Sequence, residues 1–208
     1  DMKSATIIVA HPDDETLWAG GTVLSHPNWD WKIYSLTRSS DPDRSKRFSE
    51  ALSYLGAAGD MADLDDEPEL DPIDPAEVKE AMLDMVESQR VDLVLTHGPR
   101  GEYTRHIRHE EVSGAVRELW MTGELKSDEL WFFAYEDGGR EYLPRPERGA
   151  EINELPDEIW RQKRHLIEDI YGFDRESWEA RACPRIEAFY KFKTRSNLEK
   201  GVNGRCGP

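Results

Sequence analysis

Short apolar runs alternate along this chain with longer segments in which apolar residues recur every three or four positions. Residues 6–10, "TIIVA", read as a fully buried strand, and 31–37, "WKIYSLT", as a second strand with partial alternation. Between them, "DETLWAGGTVLSH" opens on acids and carries Leu17, Val23 and Leu24, the pattern of a helix entered at its positive end. "RSKRFSEALSYLGA" places Phe48, Leu52 and Leu55 at helical spacing, with Gly56 as the stop. The acidic stretch "DLDDEPELDPIDP" predicts a surface loop with at most one short strand. "PAEVKEAMLDMVESQ" then starts a helix at Pro75, with Val78, Met82, Met85 and Val86 on one face.

The alternation continues to the end. "VDLVLTHG" is a buried strand, "HEEVSGAVRELWM" a helix and "ELWFFAYE" an aromatic-rich strand. "PDEIWRQKRHLIEDIY" predicts a long amphipathic helix with Ile159, Leu166 and Ile170 inward, whereas "ESWEARACPRIEAFYKFK" fits neither period well. Strands and helices taken in turn predict an α/β fold of the Rossmann-like kind, a mostly parallel sheet with helices on both faces and ligands beyond the carboxyl ends of the strands. At 208 residues, with no internal repeat and no linker-like tract, the expectation is one domain over 1–208.

Charge narrows the partners. Asp plus Glu number 43 against 27 Lys plus Arg, a formal net charge of -16, and no basic patch stands out. That field repels phosphate backbones and anionic headgroups, so nucleic acid is not an expected partner. The amino-terminal residues contain no long apolar run, so neither a secretory signal nor a membrane span is expected. Cys183 and Cys206 lack metal-like spacing and read as two reduced thiols in a cytoplasmic protein rather than a disulfide.

The chemistry concentrates in "AHPDDE", residues 10–15, where the first strand runs into one histidine and three acids. Adjacent carboxylates repel and lose hydration near a core, so something positive belongs there. The "VDLVLTHG" strand leads to "PRGEYTRHIRHEEV", with His106 and His109 three apart at a helix start. His11, His109 and Asp14 would together form a two-histidine, one-carboxylate site for a divalent ion, zinc foremost but with other divalent metals open. The plainer alternative makes Asp13 and Asp14 helix caps, Glu15 a first-turn acid and both histidines surface residues. Capping explains one acid, not the set.

"AHPDDE" after a first strand, a glycine pair, and an H-x-x-H after Gly-Glu-Tyr resemble the PIG-L/LmbE-like family of zinc-dependent N-deacetylases, which remove acetyl groups from N-acetylglucosamine-type substrates. "RFSEALSYLG", Lys163 and "EAFYKF" are similar to further family positions, so the likeness covers most of the chain. It implies His11, Asp14 and His109 as metal ligands, Asp13 as general base, and His106 as the histidine that, as an imidazolium, balances the oxyanion or protonates the leaving amine. "GEYTRHIRH" departs from the family's Gly-x-Tyr-Gly-His-Pro-Asp-His by one extra residue and the missing Pro-Asp, which brings Arg105 and Arg108 close by. Tyr103, Arg38 and Arg47 are candidate contacts for a small N-acetylated sugar, the two arginines with surface ion pairs as the alternative. A homo-oligomer is left open. Two other functions fit the residues less well: a metal-dependent phosphoesterase, which would need Glu15 or Glu102 to bridge a second ion, and a non-catalytic sugar-binding protein.

Overall fold

The structure is a computed structural model that describes residues 2–69 and 71–203; Cys206 lies outside them. The first half of the chain is five strand–helix units in strict alternation: β1 (Ser4–Val9), α1 (Asp14–Ser25), β2 (Asp30–Thr37), α2 (Pro42–Leu55), β3 (Ala58–Leu64), α3 (Pro75–Met85), β4 (Val91–Thr96), α4 (Ile107–Thr122) and β5 (Ser127–Phe133). A small ribbon, β6 (Tyr135–Glu136) with β7 (Arg145–Pro146), precedes β8 (Glu151–Glu154), α5 (Asp157–His165), α6 (Trp178–Ala182), β9 (Ile186–Phe192) and α7 (Arg195–Asn203). The main sheet has the order β3-β2-β1-β4-β5-β9-β8. Strands β1 to β5 are parallel, and β9 and β8 add antiparallel at one end.

The strand alternation sorts side chains to two faces. Ile7 and Val9 of β1 join Ile33, Leu93 and Leu95 under α1 and α2, where Trp18, Phe48 and Leu52 meet them. Ile8 and Ala10 point the other way, with Leu36, Val94 and Phe132, into the layer formed by Val78 and Met82 of α3 and Val112, Val116 and Leu119 of α4. A buried side chain of this size contributes about 1.5–3 kcal/mol. Because β1 has β2 on one side and β4 on the other, crossovers leave it in opposite directions and open a crevice at the carboxyl ends of β1 and β4.

Two elements differ from the sequence expectation. β3, "AGDMADL", is a full strand although most of it is exposed and it lacks an apolar stripe; pairing with β2 supplies what its side chains do not. The predicted long helix is α-helical only as far as His165 and continues as a π-helical turn, Leu166–Ile170, whose wider winding buries both Leu166 and Ile167. The segment that fits neither period is α6 followed by β9.

A buried ion pair ties α1 to the far end of the chain. Lys163 Nζ donates to Glu187 at 2.8 Å, both side chains fully buried. Glu187 also accepts the N–H groups of Gly21 and Thr22 and the Thr22 hydroxyl, at 2.6, 2.7 and 2.6 Å. A Cβ at Gly21 would stand 2.3 Å from Leu155, so only glycine lets β9 come this close to the helix that carries Asp14.

Candidate metal and catalytic site

Three acceptor atoms converge at the crevice. His11 Nδ1 lies 3.0 Å from Asp14 Oδ2 and 3.1 Å from His109 Nε2, and His109 Nε2 lies 3.3 Å from the same carboxylate oxygen. The far nitrogen of each ring is already engaged. His11 Nε2 faces Asp66 Oδ1 at 3.0 Å, and His109 Nδ1 faces Glu102 Oε2 at 2.9 Å. With those nitrogens carrying the protons, Nδ1 of His11 and Nε2 of His109 present bare lone pairs to an anionic oxygen. Three acceptors within 3.3 Å of one another need a positive charge between them, and two imidazoles with a carboxylate are the donor set that zinc-class cations take. The protonation balance shows the same demand: burial opposes the imidazolium of His11, but hydrogen bonds to Asp14 and Asp66 outweigh it and raise its pKa, and His109 is raised against burial by the Asp14 charge. Asp14 is held well below the carboxylate range, its burial overcome by His109 and His97. The residues present therefore fit a divalent metal.

His97, the residue after β4, completes the cluster without joining the ligand set. Its Nδ1 donates to Glu102 Oε1 at 2.8 Å, and its Nε2 accepts the Ala10 N–H at 2.9 Å, which commits that lone pair and selects the neutral form. Glu102 thus holds two imidazoles at once, at His97 and His109. The sequence reading assigned no role to His97 and considered Glu102 only as a bridging ligand; yet His97 stands at a strand end just as His11 does, the signal that could have found it.

Asp13 takes a strained conformation, φ 118°, that side-chain-bearing residues rarely adopt. Two contacts maintain it. Its N–H donates to Glu15 Oε2 at 3.0 Å, and its carbonyl accepts the N–H groups of Thr16 and Leu17 at 3.0 and 2.9 Å, opening α1. Glu15 is fully buried and turned away from the histidines, bonded to the Thr16 and Tyr171 hydroxyls. The Asp13 side chain makes no capping bond, so the capping alternative fails for it. Burial and the neighbouring Asp14 charge push its pKa up to about 8, against the pull of Arg44 3.5 Å away.

A cleft of about 360 Å³ opens over this group and is lined by His11, Asp13, Asp14, Arg38, Arg44, Tyr103, His106 and Trp178, among others. His106 caps α4 next to His109, its ring stacked on that of His109 at 4.7 Å, and its buried Nδ1 has no hydrogen-bond partner among the described residues. Burial and the adjacent His109 and His11 press its pKa down to about 3, so its resting form is the neutral imidazole rather than the imidazolium expected from sequence. Tyr103 packs edge-on against Trp178 at 4.6 Å and against His109 at 5.3 Å. Arg38 reaches the cleft while bonded to Asp66. Arg47 is not among the cleft residues; Asp43 and the Ile170 carbonyl hold its guanidinium at 2.8 and 3.1 Å. Arg44, one turn earlier in α2, is in the cleft in its place, bonded to the Pro12 carbonyl. Arg108 is buried and clamps the Asp65 carbonyl at 2.6 Å, while Arg105 pairs with Glu110 on the surface. Asp66 belongs to the acidic loop read from sequence as mere surface, and Arg38 and Arg108 fold that loop inward.

The same architecture occurs in solved structures. The chain resembles GalB, the 4-carboxy-2-hydroxymuconate hydratase from Pseudomonas putida KT2440, at 17% identity over 98% of this chain and 88% of that one, with a TM-score of 0.61. It is also similar to a triple mutant of a deacetylase of teicoplanin biosynthesis (14% identity, 92% of this chain and 98% of that one, TM-score 0.64) and to the zinc-inhibited form of teicoplanin deacetylase Orf2 (14%, 81% and 84%, 0.58). At these identities the likeness is one of fold. None of the curated proteins compared with the chain matches it. No described helix is long and apolar enough to cross a membrane. The family model that does match, described as GlcNAc-PI de-N-acetylase, spans residues 6–120, which is more than half of the chain and takes in His11, Asp13, Asp14, His97, Glu102, His106 and His109; the chain belongs to the PIG-L family.

Proposed function

We propose that this protein is a zinc-dependent N-deacetylase that hydrolyses the acetamide of an N-acetylglucosamine-type sugar or glycoside. Membership of a family described by a de-N-acetylase supports the reaction class, and a structural neighbour whose zinc-inhibited form is known supports the choice of metal. The observation that carries the reading is the triangle of His11 Nδ1, Asp14 Oδ2 and His109 Nε2, with both opposite ring nitrogens anchored on carboxylates and Asp13 held strained beside it.

His11, Asp14 and His109 would hold the ion. When bound, zinc supplies Lewis acidity, polarising the acyl oxygen and making water acidic near neutral pH. Asp13 is not needed as a ligand and takes the proton of the attacking water; desolvation makes it a stronger base than an ordinary carboxylate. The same proton, returned to nitrogen, lets the amine leave. His106, neutral at rest, holds a proton on one ring nitrogen and hydrogen-bonds the tetrahedral carbon's oxygen or the departing nitrogen. Arg38, Arg44 and Trp178 border the space for the sugar. The two carboxylates that a phosphoesterase would use to bridge a second ion are committed elsewhere, Glu15 to hydroxyls and the Asp13 amide, Glu102 to the two histidines. The proposed setting is the cytoplasm, which suits the buried free thiol of Cys183.

The test is a panel of N-acetylated glycosides incubated with zinc-reconstituted protein, with elemental analysis alongside. The expected result is about one zinc per chain and release of free amine from at least one member. Failure to take up zinc overturns the metal assignment, and uptake with no amine from any member points to the sugar-binding alternative.

A further inference from the structure

A cavity of about 850 Å³, more than twice the volume of the catalytic cleft, shares Tyr103 with it as a common wall. A second wall residue, Gly101, lies so near the metal site that a Cβ there would stand 3.5 Å from that of His109. The rest of the wall comes from the β4–α4 loop, the β6–β7 ribbon and the segment before β8. No step proposed above uses this space.

The acids around the cavity are spoken for. Asp137 accepts the Thr104 N–H and hydroxyl at 2.8 and 2.5 Å and the Gly139 N–H at 3.1 Å. Glu110 pairs with Arg105 at 2.7 Å. Glu136 takes the Tyr142 hydroxyl and Arg145, at 2.5 and 3.0 Å, and Glu147 lies 3.1 Å from the Tyr190 hydroxyl. Arg100 and Arg148 are on the same wall, exposed, and neither guanidinium has an ion pair or hydrogen bond among the described residues. Their backbones are fixed all the same: the Tyr190 hydroxyl lies 2.9 Å from the Arg148 carbonyl, and a Gly101-to-Gly98 turn bond of 2.9 Å closes the loop at Arg100. The uncommitted charge of the cavity is therefore positive, in a chain of net charge -16 that otherwise repels anions.

We propose that this cavity is a second substrate compartment, which receives the group attached to the acetylated sugar and selects groups bearing a carboxylate or phosphate through Arg100 and Arg148. The inference rests on the deacetylase reading for what fills the neighbouring cleft. A substrate spanning both compartments passes the edge of Tyr103, which gives that residue a place in specificity even though its spacing to His106 departs from the family pattern.

Calorimetric binding to the zinc-loaded protein tests it with three N-acetylglucosamine glycosides: one with a neutral alkyl chain, one with that chain ending in a carboxylate and one ending in a phosphate. At low salt at least one anionic ligand should bind roughly 10-fold more tightly than the neutral one, as suits a charge-assisted contact. The two anionic arms show which group is preferred. The ratio should fall toward one in R100A/R148A, return in part in R100K/R148K, and shrink as salt is added. Equal affinities in the unmodified protein, an undiminished preference in R100A/R148A, or no binding by any of the three overturns the proposal. Because binding is the readout, a charge preference without cleavage keeps the compartment and loses the deacetylase reading. Cleavage without a charge preference does the reverse.

Discussion

Asp66 Oδ1 lies 3.0 Å from Nε2 of His11, and this one contact decides which nitrogen of His11 faces Asp14 and His109. The acid is itself gripped by Arg38, through Oδ2 at 3.0 Å and its own carbonyl at 2.8 Å. A carboxylate behind a ligating imidazole sets its tautomer and raises its basicity, so removing it should weaken the metal site without removing a ligand.

Asp66→Ala is expected to lower zinc affinity roughly 10- to 100-fold. Asp66→Asn, which keeps a hydrogen-bond acceptor but loses the charge, should lose less. Competition against a coloured chelator measures both. An Asp66→Ala protein with unaltered affinity would show that His11 is oriented by something else.

The two adjacent acids should separate cleanly. Asp13→Asn keeps the shape and removes the base, so zinc should stay while the rate falls roughly 10²- to 10⁴-fold. Asp14→Asn removes the anionic corner of the triangle, so zinc itself should be lost and excess zinc should restore part of the activity. Zinc content and turnover of both variants decide; an empty Asp13→Asn site beside a loaded, inactive Asp14→Asn protein would reverse the roles.

Asp13 also predicts a pH dependence of the metal-free protein. Its folded pKa of about 8 lies above the ordinary 3.8, so the folded state holds this proton more tightly than the unfolded chain. The contribution is fully present below about pH 4 and is lost as pH rises toward 8. Asp13→Asn, permanently neutral, should therefore melt higher than the unmodified apoprotein at pH 8 and at the same temperature near pH 4. Parallel melting curves at all pH values would show that Asp13 is ionised in the fold.

Lys163→Met would leave the Glu187 carboxylate buried without its cation. Breaking such a pair costs about 3–5 kcal/mol, and the three donors Glu187 keeps from Gly21 and Thr22 place the expectation at the lower end. Denaturant unfolding measures it. A loss below about 1 kcal/mol would mean that those hydrogen bonds alone satisfy the acid.

The amino-acid sequence by itself determined the α/β layout, because uninterrupted apolar runs such as residues 6–10 can only be strands covered on both faces. It also determined the position of His11, Asp14 and His109 at strand and helix boundaries, since local chain direction follows from the elements that bound it. What it could not decide were relationships between side chains far apart in the chain. Arg44 rather than Arg47 in the cleft depends on how α2 rotates against β1, and both arginines share that helix face in the sequence pattern. Asp66 behind His11, 55 residues away, depends on two arginines folding an acidic loop inward, while its composition reads as solvated surface. His97 and Glu102 became holders of ligands only through hydrogen-bond geometry at 2.8–2.9 Å. Periodicity records which face of an element is buried. Which donor meets which acceptor is set by tertiary packing, and in this protein that pairing turns a row of repelling acids into a site that requires a cation.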